Sequence, residues 1–142
     1  IIKTLNSMKV KINFITDGDV FGGISVADPK FNIDIYIGTG GGPEGVLAAA
    51  ALDCLDCQMQ TRLSFQNQKE KDRAKKLGIV DLNKKYNVED MIRGDVIFCA
   101  TGVTDGDLVK GIRDFGNFFE SQTFVLHKSS KTNKIMRNKI KK

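Results

Sequence analysis

The stretch NIDIYIGTGGGPEGVLAAAALDCL, residues 32–55, decides the fold. Its first six residues alternate polar and apolar side chains, which is the period-two pattern of a strand. Glycines fill most of residues 38–42, and Pro43 then opens an apolar, alanine-rich segment. We predict a helix from Pro43 to about Leu55, because proline is well tolerated at the first helical position. The small alanines allow this helix to lie close on a sheet.

Further strand and helix patterns extend outward from this stretch. We predict strands at residues 9–16, 59–65, 96–100, 122–127 and 134–137, and helices at residues 20–27, 67–77 and 88–92, with another helix ending at Ser7. The strand at 96–100 is apolar enough to be buried on both faces. The last two strands are predicted to pair as a hairpin around Ser129 and Ser130. Strands alternating with helices predict an α/β fold, a layered domain with a central mixed, largely parallel sheet flanked by helices.

Length and composition limit the class of protein. The chain has 142 residues, of which 41% are hydrophobic and 27% charged, as expected of one compact domain. No apolar run approaches the roughly 20 residues that cross a bilayer, and we expect no export leader. We therefore expect a cytoplasmic protein with no membrane partner. The first residue is Ile1 and already reads as mid-helix, so we expect a piece of a longer protein.

The positive charge is concentrated at the C-terminus. Residues 128–142 contain seven of the 22 lysines and arginines and no acids, which leaves residues 1–127 at −2 out of a total of +5. Such an end can contact nucleic acid, but it has no interleaved aromatic residues for base stacking. We interpret it as a solvated end and expect no nucleic-acid partner.

The three cysteines are predicted to be free thiols, because no export signal accompanies them. Cys54 and Cys57 match the C-x-x-C spacing, but a zinc site needs further ligands and His127 is the only histidine. We interpret the pair as structural.

The glycine turn is the strongest candidate for a ligand site. Successive glycines let the backbone approach a ligand closely, and the helix that follows adds partial positive charge, which suits a phosphate. The alternative is a mobile linker. Gly40, Gly42 and Gly45 also match the dinucleotide fingerprint, a weak signal on its own. Glu44 lies inside this match and would repel a pyrophosphate unless a cation stood between them. Glu44 therefore either binds magnesium or manganese beside a phosphate or merely offsets the helix dipole, and the sequence leaves both open.

A second candidate precedes the glycine turn. Asp17 and Asp19 flank Gly18 after a predicted strand, where they could bind a sugar hydroxyl or a metal, or cap the next helix. The pattern Thr-Asp-Gly-Asp recurs at residues 104–107, so we predict the same strand–turn–helix device twice. By the same argument, Asp105 and Asp107 are equally good candidates for binding a ligand.

Three segments together resemble the C-terminal half of class II fructose-1,6-bisphosphatases, in the lithium-sensitive phosphatase superfamily. They are residues 17–19 (DGD), 40–52 (GGGPEGVLAAAAL) and 95–108 (DVIFCATGVTDGDL). Their order and spacing agree over residues 9–137. The chain departs locally, with one extra glycine in the turn and an unusual segment at residues 115–120.

The resemblance implies roles for five residues. Asp17, Gly18 and Asp19 would contact substrate, Gly41 would offer its backbone to substrate, and Glu44 would bind a catalytic Mg²⁺ or Mn²⁺. It assigns no ligand role to Asp105 or Asp107. We therefore interpret these two residues as structural, forming the turn and capping the helix predicted after it.

The implied reaction is hydrolysis of the 1-phosphate of fructose 1,6-bisphosphate, in gluconeogenesis and glycerol metabolism. Sedoheptulose bisphosphate is not distinguished from it as substrate. No catalytic residue is expected in this chain, because the family's other metal carboxylates lie in its N-terminal half. We expect the chain alone to bind metal weakly and hydrolyse nothing.

The resemblance also implies an organisation and partners. Residues 1–127 would be the substrate- and metal-binding part of an α/β domain, and residues 128–142 its basic last strand and tail. The expected partners are a sugar bisphosphate, the N-terminal half of the same protein and further copies in a homo-oligomer. The alternatives are a nucleotide- or phosphate-binding module without catalysis and a binding protein that uses its basic end.

Overall fold

The computed structural model describes residues 1–16 and 18–142, so Asp17 lies outside the described residues. Within them the helices are α1 Ile2–Ser7, α2 Asp19–Ser25, α3 Gly42–Cys54, α4 Gln68–Lys76 and α5 Val88–Met91, with a 3-10 turn at Pro29–Phe31. The strands are β1 Gln60–Arg62, β2 Lys85–Asn87, β3 Ile97–Thr101, β4 Arg113–Asp114, β5 Phe118–His127 and β6 Thr132–Lys141. None of the helices in this part of the chain is long and apolar enough to span a bilayer.

The main sheet is built around β5. Strand β6 pairs with β5 along all ten residues, from Phe118 opposite Lys141 to His127 opposite Thr132. Strands β3 and β4 pair with β5 along its other edge. The predicted C-terminal hairpin is therefore confirmed, with longer strands than the sequence pattern indicated.

Every ladder among the described residues is antiparallel, including the separate pair of β1 and β2, so the predicted largely parallel sheet is wrong. Parallel neighbours need a crossover connection, usually a helix. The second Asp-Gly-Asp segment was predicted to start such a helix, but residues 102–112 instead fold back on themselves. The amide of Ile112 donates to the carbonyl of Val103, and Gly106 donates to Val109. The chain thus returns as an antiparallel neighbour.

Two predicted strands, at residues 9–16 and 32–37, are absent: their described residues form no ladder. An alternating pattern supplies one buried face, but a strand also needs a neighbour to accept its backbone hydrogen bonds. No described strand lies in register beside either segment. The helices around them are as predicted to within two residues at each end, which is the usual uncertainty of helix boundaries.

The core lies between α2, α3 and the main sheet. Its buried residues are Ile24, Ala51, Cys54, Phe98, Phe124 and Leu126. The alanines of α3 allow the predicted close approach, since Ala49 and Ala51 have no exposed surface. Only one face of β3 is covered: Phe98 is 6% exposed, whereas Ile97 is 67% exposed. The prediction that β3 is buried on both faces is therefore wrong.

Candidate functional site

The glycine turn leads directly into α3. Gly41 is the N-cap residue with an extended backbone, Gly42 and Pro43 open the helix, and no described side chain caps it. Residues 37–44 are all exposed. The first N–H groups of a helix have no intrahelical partner, so the start of α3 presents donors and partial positive charge to solvent.

Glu44 belongs to the first turn of α3, and its carboxylate folds back over the turn. A Cβ placed on Gly41 would overlap Oε2 of Glu44, so the carboxylate lies directly beside this glycine. The side chain remains exposed to solvent on its other side. Glu44 thus offers oxygen ligands at the same place where the backbone offers N–H donors.

Asp19 approaches the same turn from α2. Gly18 is the N-cap of α2 in the left-handed conformation, with φ of 88°, and Asp19 is the first helical residue. A Cβ placed on Gly40 would overlap Oδ2 of Asp19. The carboxylates of Asp19 and Glu44 therefore rest against consecutive residues of the turn, whose Cα atoms are about 3.8 Å apart in any trans chain. Of the predicted substrate residues, the structure brings Asp19 and Gly41 to one place with Glu44.

Tyr36 completes this region and was not predicted from the sequence. Its ring lies against Gly22 of α2 and its hydroxyl end against Gly38, where added Cβ atoms would overlap the ring. Burial raises the pKa of Tyr36, and the nearby charge of Asp19 raises it further. The phenol therefore stays protonated and can donate a hydrogen bond. The sequence feature that could have pointed to Tyr36 is its position, two residues before Gly38, the first glycine of the turn.

The second Asp-Gly-Asp segment has a different role. Oδ1 of Asp105 accepts from the amide of Gly111 at 2.9 Å, and Nη2 of Arg113 lies 2.7 Å from Oδ2. These bonds, that of Gly111 first, lower the pKa of Asp105. Asp105 therefore closes its own loop, in agreement with the turn interpretation.

The cysteine interpretation also agrees with the structure. Cys54, Cys57 and Cys99 are all free thiols. Burial raises the pKa of Cys54 and of Cys57, and Sγ of Cys54 donates to the carbonyl of Val96 at 3.5 Å. Raised pKa values keep these thiols protonated and poorly nucleophilic.

Glu44 could supply only part of the ligand set of a divalent cation. Within residues 1–16 and 18–142, no group of three or more His, Cys, Asp and Glu side chains could hold a metal ion. Magnesium, however, is commonly bound by one or two carboxylates together with phosphate oxygens and water. Glu44 suits one such position.

Comparisons with a family model and with individual proteins all lead to bacterial fructose-1,6-bisphosphatases. The model of a family described as bacterial fructose-1,6-bisphosphatase, glpX-encoded, matches residues 1–140. The chain is 37% identical to the fructose-1,6-bisphosphatase class 2 of Haemophilus influenzae, over 93% of this chain and 44% of that protein. It is 33% identical to the D-fructose 1,6-bisphosphatase class 2/sedoheptulose 1,7-bisphosphatase of a Synechococcus species, over 93% of this chain and 42% of that protein. The chain thus spans less than half the length of these relatives.

Proposed function

The chain belongs to the bacterial fructose-1,6-bisphosphatase family, and from that premise we propose that it is the C-terminal portion of a metal-dependent sugar phosphatase. The proposed reaction removes the 1-phosphate of fructose 1,6-bisphosphate with water. The family membership supports this reaction, and the arrangement around the glycine turn supports a place for this chain in it.

One observation carries the proposal: two carboxylates, those of Asp19 and Glu44, rest against Gly40 and Gly41 at an uncapped helix start. Carboxylates repel a phosphate, whereas the helix start attracts one. The two tendencies are reconciled when a cation lies between Glu44 and a phosphate oxygen. A turn that binds a nucleotide without a metal would be weakened by carboxylates in this position, because they repel its phosphates. The arrangement therefore favours the phosphatase over the nucleotide-binding alternative.

Each residue then has a defined task. The backbone of Gly41 and the start of α3 bind a substrate phosphate. Asp19, together with Asp17 and Gly18, orients the sugar through its hydroxyl groups. Glu44 holds one divalent cation, Mg²⁺ or Mn²⁺, which when bound activates water and stabilises the leaving oxygen. Tyr36 limits the movement of the turn through its contacts with Gly22 and Gly38.

The proposal extends to organisation and partners. Residues 1–127 form the substrate- and metal-binding part, and residues 128–142 complete the same domain, as the continuous pairing of β6 with β5 supports. The proposed partners are the sugar bisphosphate, the N-terminal half of the same protein and further copies of it. The proposed location is the cytoplasm.

The experiment combines this chain with the part of the protein that it does not span. The N-terminal portion of the Haemophilus influenzae relative is coexpressed with the chain, and phosphate release from fructose 1,6-bisphosphate is measured with Mn²⁺. We expect release from the combination, none from either part alone, and a loss of at least about 100-fold with Glu44→Gln, since a catalytic metal ligand is removed.

Glu89→Gln is the matched control. Glu89 is also an exposed glutamate in the first turn of a helix, α5, and should leave phosphate release unchanged. Appreciable release from the chain alone, or full release with Glu44→Gln, would contradict the proposal.

A further inference from the structure

Three side chains far from the glycine turn in sequence form a hydrogen-bonded row at the β5–β6 hairpin. Nε2 of His127 lies 2.8 Å from Oδ2 of Asp95, and Oγ of Ser130 lies 2.8 Å from Nδ1 of His127. Asp95 precedes β3, His127 ends β5, and Ser130 is in the connecting turn. A carboxylate, an imidazole and a hydroxyl in this order are the groups from which activated serine nucleophiles are built.

The protons of this row can be assigned from the charge of Asp95. Hydrogen bonds from Ser129 and then from His127 lower the pKa of Asp95 to about 2, so its carboxylate is ionised and only accepts. The ring proton of neutral His127 therefore lies on Nε2, which leaves Nδ1 as an acceptor. Ser130 then donates its hydroxyl proton to Nδ1, and Thr132, whose Oγ1 is 2.7 Å away, donates to Ser130.

The turn that holds Ser130 is fixed by contacts from distant elements. Nζ of Lys128 donates to both carboxylate oxygens of Asp53 at 2.9 Å, and Lys131 pairs with Asp56 at 2.6 Å. Asp53 lies in the last turn of α3, and Asp56 follows the end of that helix. The amide of Ser129 donates to Asp95 at 3.1 Å. A nucleophile is effective only when its supporting groups are held in place, and this turn meets that condition.

Ser130 is also accessible and has a free donor beside it. The residue is exposed. Its own backbone N–H makes no hydrogen bond with any of the residues that the structure describes. A free N–H at the nucleophile is suited to stabilise an oxyanion that forms there.

We propose that Ser130 is a nucleophile that takes an acyl group from activated carboxylic esters, with His127 as its general base and Asp95 as a positioning residue. Oγ of Ser130 bonds to the carbonyl carbon while its proton passes to Nδ1 of His127. The ester C–O bond then breaks, and the alcohol leaves with that proton. Water repeats the sequence on the acyl-serine and releases the carboxylic acid. This activity is independent of the phosphatase site and uses no metal.

The test uses a fluorophosphonate probe on the intact chain, followed by peptide mass mapping. Oγ of Ser130 bonds to phosphorus as fluoride leaves, so the adduct is stable. We expect labelling at Ser130 at least tenfold faster in the folded chain than in the chain unfolded in urea. His127→Gln should slow labelling on the order of 100-fold, the contribution typical of a general base. Ser64→Ala, at an exposed serine outside this row, is the control and should keep the rate.

Asp95 is tested by a separate signal. The chain has one histidine, so the ring ¹⁵N resonances of His127 report its tautomer directly. We expect a proton on Nε2 in the native chain, and a shift toward Nδ1 with Asp95→Asn together with slower labelling. Equal labelling of Ser129 and Ser130, equal rates in the folded and unfolded chain, or a native proton on Nδ1 would overturn the proposal.

Discussion

At the scale of single residues, Gly22 fixes how α2 approaches the segment before the glycine turn. A Cβ at this position would lie 2.5 Å from Cε2 and 2.8 Å from Cζ of Tyr36, closer than real Cβ atoms come to other atoms. Gly45, also within a helix, has nothing within 4 Å of an added Cβ. Both glycines lie within helices, but an added Cβ meets the ring of Tyr36 at Gly22 and nothing within 4 Å at Gly45.

Gly22→Ala is expected to lower the free energy of unfolding by about 1–3 kcal/mol, the usual cost of overpacking. Gly45→Ala should raise it by about 0.5–1 kcal/mol, because alanine favours a helix over glycine. Urea unfolding followed by tyrosine fluorescence measures both, since the chain has only two tyrosines. If both variants were stabilised equally, the ring of Tyr36 would not lie against α2.

Asp95 is expected to make the stability of the fold depend on pH. Its folded pKa of about 2 is below the ordinary value of 3.8, so the ionised carboxylate stabilises the fold above about pH 4. That contribution is lost as the pH falls from about 4 to 2. Asp95→Asn should therefore lower the urea midpoint at pH 5, with a difference from the native chain that shrinks by pH 2.5. Asp72→Asn is the control, because Asp72 is exposed on α4, away from this cluster. A constant difference across this range would exclude the linkage.

At the scale of elements, α3 connects the core to the candidate site. Its alanines lie against α2 and the sheet, while its first turn carries Glu44. Any displacement of α3 therefore also moves Glu44 and the glycine turn.

Ala51→Leu should lower the free energy of unfolding by about 1–3 kcal/mol, because Ala51 has no exposed surface and belongs to the core cluster. Ala50→Leu on the same helix is the control, since Ala50 is partly exposed and should change stability by only about 0.5 kcal/mol. Chemical denaturation compares the two. Equal effects would show that α3 does not pack as closely as its alanines indicate.

The elements also show which features the sequence can predict. The start of α3 follows from Pro43 and the glycines, which act locally, so the sequence placed Glu44 in the first turn correctly; its role as a metal ligand stays a prediction. The antiparallel pairing of β3 with β5 depends on how residues 102–112 fold back, which no local pattern specifies. The row of Asp95, His127 and Ser130 was missed for the same reason, because the hairpin brings together residues that are 32 positions apart.

At the scale of the whole molecule, two segments differ from the rest of the chain. The backbone N–H groups of residues 11–16 and 33–38 donate no hydrogen bond to any described residue. Three of their apolar side chains are largely exposed: 74% for Phe14, 75% for Ile35 and 64% for Ile37. Unpaired, strand-patterned backbone is able to pair with another chain. Since the relatives are more than twice as long as this chain, we expect the N-terminal portion of the family protein to cover these segments.

Hydrogen exchange measures this directly. In the chain alone, amides of residues 11–16 and 33–38 should exchange at nearly unprotected rates, whereas the amides that donate across the β5–β6 ladder should be protected. Addition of the N-terminal portion of the Haemophilus influenzae relative should slow exchange in both segments and leave the ladder unchanged. Strong protection in the chain alone would mean that the segments are already paired. Unchanged exchange after mixing, with phosphate release restored, would place the contact between the two portions elsewhere, because an active complex would then have formed without covering these residues.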